Sequence, residues 1–185
     1  MRIDNSTGRW LALILASGVI GIAAFPAVAN EWDYYKSAAG RFSVKVPETP
    51  VLTTETDSSF IGTITSHLYT VLREDHYEKF TVDYSEIPSF AVEFTGADTI
   101  MDHAKGALLS QTMSKPTSYV DFKVDGFPGK RLTYETPPRK GHPALHGEAV
   151  FVMVGHRLYV IDAQLPMADK EERANRFLSS VDLSN

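Results

Sequence analysis

The 185-residue chain contains no cysteine. That excludes disulfides, thiolate metal sites, thiol nucleophiles and lipid attachment at a lipobox, so stability has to come from packing and hydrogen bonding. Positive charge is also short: 18 Lys and Arg stand against 23 Asp and Glu, a formal net charge of −5. A phosphate backbone needs a basic surface, so this balance disfavours nucleic acid as a partner. Repeats at a fixed period and low-complexity tracts are missing, and the only long apolar run lies within the first thirty residues. What remains, 43% hydrophobic and 22% charged, has the composition of a globular chain rather than a disordered one.

The apolar run from Trp10 to Phe25 follows Arg2 and Arg9 and ends on Pro26-Ala27-Val28-Ala29. Signal peptidase reads small side chains one and three places before the cut, so Ala27 and Ala29 predict cleavage before Asn30. A retained spanning helix wants about 20 apolar residues, whereas this run is shorter, contains Gly18 and Gly21, and meets a proline. The expected organisation is a signal peptide over residues 1–29, an aromatic lead-in over 30–40 with Trp32, Tyr34 and Tyr35, and one α+β domain over 41–185. The mature protein is expected to be periplasmic or secreted, with no stable membrane insertion after cleavage.

Residues 41–46 alternate polar and apolar and stop at Pro47, which predicts a half-buried strand with Phe42, Val44 and Val46 inward. Residues 61–73 and 78–87 are rich in β-branched and aromatic side chains. Polar Glu74-Asp75-His76-Tyr77 joins them, which predicts a hairpin with Phe80, Val82 and Tyr84 opposite Lys79, Thr81, Asp83 and Ser85. Residues 47–56 and 136–146 read as the longest loops. The period then changes: from 98 to 113, Ile100, Met101, Ala104, Ala107 and Leu108 recur at helical spacing, with Asp98 or Thr99 as N-cap and Asp102 completing a capping box.

Four strands are expected next, over 119–124, 130–136, 148–154 and 157–165. Asp125 to Gly129 joins the first two and Gly155-His156 the last two. A second helix over 169–180 takes Asp169 as cap, with Glu172 reaching back and Ala174, Phe177, Leu178 and Val181 as its buried stripe. Strands linked by hairpins give an antiparallel sheet, and two amphipathic helices bury their stripes on it. The expected fold is therefore α+β, an antiparallel β-sheet flanked by two main helices in an α/β/α sandwich.

Phe42-Ser43-Val44-Lys45-Val46-Pro47, the 124–130 segment around Asp125-Gly126-Phe127-Pro128-Gly129, Gly155-His156-Arg157-Leu158-Tyr159-Val160 and Phe177-Leu178-Ser179-Ser180-Val181 resemble exported bacterial proteins of the Mog1/PsbP-like superfamily. The resemblance spans residues 41–183 and rests on an edge strand, turns and a closing helix. It implies an antiparallel sheet flanked by helices. It also implies an accessory or binding role, since the superfamily hosts an extrinsic photosystem subunit, a nuclear-transport cofactor and bacterial envelope proteins. It carries no functional residue over.

Candidate chemistry is sparse. His142 and His146, four apart, are the candidate metal pair, but Gly141 and Pro143 oppose a helix and no third ligand is evident, so a solvated loop is the preferred reading. Arg139 and Lys140 in the same loop are candidate contacts for an anionic partner. His67 reads as a half-buried strand histidine, and adjacent Asp102 and His103 point apart on a helix. No serine elbow, zinc-protease motif, phosphate loop or serine-lysine pair is present, so no catalytic residue and no cofactor is expected. The expected function is an exported, non-catalytic accessory protein that binds another envelope protein. The alternatives are a small-ligand or lipid-binding module and a hydrolase using His67 or His146 as base.

Overall fold

Alternation along residues 42–46 decides where the chain first meets its core: Phe42, Val44 and Val46 are buried, while Ser43 and Lys45 are only partly covered. In the computed structural model, which describes residues 32–59, 62–167 and 170–183, this strand is β2 (Phe42–Val46). It pairs antiparallel with β1 (Asp33–Ser37), which forms from the aromatic lead-in. The expected signal segment, with the expected cleavage residues Ala27, Ala29 and Asn30, lies outside the described residues, as does the expected cap Asp169.

A seven-stranded antiparallel sheet forms the centre. Its strands are β3 (Val51–Ser59), β4 (Gly62–Arg73), β5 (Glu78–Glu86), β6 (Lys115–Val124), β7 (Phe127–Thr136), β8 (Leu145–Val154) and β9 (Arg157–Pro166). Their spatial order is β3-β4-β5-β9-β8-β7-β6. Two meanders, β3 to β5 and β6 to β9, are thus welded through β5 and β9. Between them in sequence run α1 (Ser89–Thr95) and α2 (Ala97–Thr112). After β9 comes α3 (Lys170–Leu178).

The two sheet faces carry separate cores. On the first, Trp32 meets Phe80 edge-on at 5.0 Å between ring centroids, and Phe80 meets Phe177 of α3 at 5.2 Å. The β1–β2 ribbon shares this face with α3 and is sewn to the chain end: Ser43 and Asp182 exchange two backbone hydrogen bonds of 2.9 Å. On the second face, α1 and α2 cover Leu132, Tyr134, Ala149, Phe151 and Met153, with Ile100 and Met101 pointing inward.

Several expectations need correction. Among the described residues three α-helices flank the sheet rather than two, and β2 belongs to a separate two-stranded ribbon, so the first face is covered by a hairpin together with a helix. Residues 51–56, expected to be loop, are part of β3. The strand was hidden because Val51 to Asp57 are exposed on both faces, leaving no burial alternation to read, and backbone pairing with β4 holds it. Helix α2 starts at Ala97 with Gly96 in the cap position and no side-chain cap, so the Thr99–Asp102 box does not form, and Ala107 is exposed. Glu172 pairs with Arg176 at 3.1 Å, and its expected cap partner Asp169 lies outside the described residues. The β6–β7 connection is only Asp125-Gly126, both at positive φ (51° and 83°), as a type I′ turn demands, and Phe127 to Gly129 already belong to β7.

Candidate functional site

Pairing register assigns every side chain of the second sheet face. Beneath α2, β7 and β8 present apolar groups; moving across β9, β5 and β4 the rows turn polar. Leu132, Ala149, Asp162, Thr81 and Thr70 form one row, and Met153, Leu158, Ser85, Ser66 and Glu55 another. Asp83 stands between them, opposite Val160 on β9 and Leu68 on β4. The sequence pattern put Thr81, Asp83 and Ser85 opposite the inward aromatics of β5, as on a solvent face. Instead Thr81 and Ser85 are buried and Asp83 is partly so.

Within this strip Asp162, 2% exposed, accepts a hydrogen bond from the Tyr134 hydroxyl (2.7 Å) and another from Gln164 Nε2 (3.0 Å). Tyr134 reaches it from two strands away, on a diagonal, because Gly147, its direct partner on β8, has no side chain; a Cβ there would overlap the phenol ring. Burial drives the Asp162 carboxyl up to about 6, against the two hydrogen bonds and the charge of Lys79. The same burial, with the Asp162 charge added, raises the Tyr134 phenol well above its usual range. Asp83 is likewise pushed up to about 6, by burial and then by the charge of Glu55. Its Oδ1 is buried without a hydrogen-bond partner among the described residues. Ser66 and Ser85 bond to each other at 2.7 Å. The strip is thus a set of acceptors and hydroxyls, with two carboxyl groups that take up protons near pH 6.

The residues singled out from sequence lie elsewhere. His142 sits in a tight turn closed by reciprocal backbone hydrogen bonds with Arg139, and its ring meets Tyr77 edge-on at 5.8 Å. His146 belongs to β8, where its Nε2 lies 3.2 Å from Glu148 Oε1. The two histidines therefore serve different partners. Among the described residues no group of three or more His, Asp or Glu is arranged to hold a metal ion. Arg139 donates to the Thr112 carbonyl at the end of α2 (2.8 Å), and Lys140 is exposed beside it. His67 stacks on Tyr84 at 4.7 Å on the first face, with its Nδ1 3.3 Å from the Thr54 hydroxyl. It is separated by the sheet from the serine pair. Asp102 binds Lys105 on its own helix (3.2 Å).

Two buried carboxylates on the first face hold the layers together. Glu78 receives Arg73 (3.0 Å) and Arg173 of α3 (2.7 Å). Glu148 receives Arg131 and His146, and Arg131 also reaches Asn175 of α3. Burial alone would raise Glu148; the hydrogen bonds from His146 and Arg131 outweigh it and hold the carboxyl below its ordinary value.

No protein-family model matches the sequence, and no curated protein matches it. Among solved structures, the solution structure of cyanobacterial PsbP (CyanoP) from Synechocystis sp. PCC 6803 superposes with a TM-score of 0.54. The match covers 86% of this chain and 96% of that one, at 14% sequence identity. The fold is Mog1/PsbP-like. A protein of unknown function from Pseudomonas aeruginosa also matches, with a TM-score of 0.33, 12% identity, and coverage of 75% of this chain and 85% of that one. At these identities the Mog1/PsbP-like likeness is one of fold, and function has to be argued from the strip and the surface around it. No helix among the described residues is long and apolar enough to cross a membrane.

Proposed function

We propose that this is an exported, non-catalytic accessory protein that binds another protein of the cell envelope. The observation that carries this reading is the polar half of the second sheet face, where Asp83 Oδ1 is buried with no internal partner beside Glu55, Ser66 and Ser85. An acceptor kept from water without a donor costs free energy unless a donor arrives from outside. The likeness of fold to PsbP is consistent with an accessory role. Export is supported by the Arg2 to Ala29 leader pattern.

The test combines two measurements on the protein expressed from its full sequence. Mass spectrometry should find the mature chain beginning at Asn30 in the soluble envelope fraction; an intact Met1 in the membrane or cytosol overturns the export half. Crosslinking in the envelope, followed by purification, should recover one partner in a defined ratio, with recovery reduced by Asp83→Ala. Recovery of the bare chain alone overturns the binding half.

A further inference from the structure

The two edges of the central sheet are treated differently. At β6 the strand opens with Lys115-Pro116, breaks register between Pro116 and Ser118, and carries Lys123 near its end. Proline, lysine and a bulge are the devices by which sheets prevent strand addition. At the other edge, β3 runs from Val51 to Ser59 with no proline, lysine or register shift, paired to β4 at every position. Among the described residues nothing pairs on its outer side, and alternate residues must direct their N–H and C=O groups away from β4.

We propose that the outer edge of β3 accepts an extended segment of a partner protein bearing lysine or arginine at alternate positions, added as a further strand of the sheet. This rests on the reading of the protein as a binding module and specifies its surface and the partner's chemistry. Charge selects the occupant. Glu55 and Asp57 lie on the second face of β3, and Asp83 lies near enough for Glu55 to raise its proton affinity. The lysine on that face of β5, two strands in from β3, is Lys79, which stands opposite Leu72 of β4, beyond the start of β3. A second copy of the chain is a poor occupant, because a two-fold pairing of β3 strands centred on Glu55 or Thr56 sets acid against acid. Like charges directly opposite destabilise a strand pair, and opposite charges stabilise it. Basic side chains at every second residue of an incoming strand would all meet the acidic face. The residues between them would meet Leu52, Thr54 and Thr56 on the other.

The probe is a synthetic peptide of about eight residues, the length of an ordinary strand, with lysine alternating with threonine and valine. It is titrated into the mature protein by NMR, with amide exchange as the readout. The expected result is saturable binding, new exchange protection at alternate amides of residues 52–57, and weakening with salt. Of the two alternating patterns of backbone N-methylation in the peptide, one should abolish binding and the other leave it, because an edge engages every second amide. The double variant Glu55→Lys/Asp57→Lys, on exposed positions that leave the core intact, should weaken the peptide by about tenfold, from two cross-strand pairs changing sign, and admit a glutamate-bearing counterpart. Equal effects of both methylation patterns, or affinity unchanged in the double variant, overturn the proposal. So does a β3 edge already protected in the free protein, by a second copy or by residues outside those described. If the envelope partner is still captured by the double variant, the binding reading stands and this surface falls; if neither chain captures a partner, the binding reading fails first.

Discussion

The Tyr134 hydroxyl, on β7, crosses over β8 to donate to Asp162 on β9 at 2.7 Å, and Gly147 is what lets it through. Three strands are thereby tied by one side chain. Gly147→Ala is expected to destabilise the protein by at least the 1–3 kcal/mol typical of overpacking, since the ring would have to leave and strand the buried carboxylate. Urea unfolding monitored by circular dichroism measures it. Tyr134→Phe in the Gly147→Ala background should cost little more; strictly additive losses would argue against this geometry.

Protonation of the polar strip should appear as a stability change with pH. Asp83 is held at about 6 against an ordinary 3.8, so the folded state binds its proton more tightly than the unfolded state does. The contribution is fully present below pH 3.8 and is lost as pH rises through 6, which makes the sign opposite to that of a salt-bridged carboxylate. Between pH 5 and 7 this group should contribute a fall of about 1 kcal/mol. Asp83→Asn should remove Asp83's share of that fall and leave the share of Asp162, compared with the unaltered protein under identical denaturant. A variant profile parallel to the original would falsify the assignment.

Glu78 is 3% exposed and neutralised by two arginines, one from β4 and one from α3. Glu78→Ala strips Arg173 of its carboxylate and leaves Arg73 only the exposed Glu48, 3.1 Å from its Nε. The expected loss is about 3–5 kcal/mol, as for a buried ion pair deprived of one partner, with α3 loosening first. Hydrogen exchange resolved by segment should show the α3 amides losing protection ahead of β8. Uniform loss across the sheet would mean that Glu78 does not specifically hold α3.

Trp32 and Phe177 both pack on Phe80 from the first face. Phe177→Ala should cost about 3–5 kcal/mol, the range for removing a buried aromatic ring. Trp32→Ala should cost a comparable amount even though Trp32 precedes the first strand. A melting temperature unchanged by the Trp32 substitution would show that the lead-in is not part of the core.

Much of the fold was legible in local pattern. Period-two alternation in residues 42–46 and helical spacing in 98–113 sit where pattern placed them, because each has one covered and one more open face; the 78–86 strand and the Gly155-His156 turn were legible from β-branched and aromatic composition and from glycine. Strand β3 was illegible for the converse reason: with both faces open, nothing but its partner strand keeps it extended. Helix α1 was missed because seven residues with Ala91 as the lone buried side chain make too short a period to read. The candidate site escaped for a third reason. Lys79, Thr81, Asp83 and Ser85 look like any solvent face until the register shows Asp162, Gln164 and Ser66 beside them.

The sequence by itself determined the composition-level facts: a cysteine-free, mildly acidic chain with an apolar leader pattern, β-rich with amphipathic helices, with no contiguous catalytic motif. Tertiary structure decided which strands are neighbours, and with that everything about the site. Asp83 and Asp162 are 79 positions apart in the chain, and only the β5–β9 pairing, a contact across the whole intervening α1 to β8 segment, sets them on one face. Local periodicity reports the environment of one strand. It carries no information about which strand lies alongside, because that choice is made by the summed burial of both sheet faces and not by any residue near it in sequence.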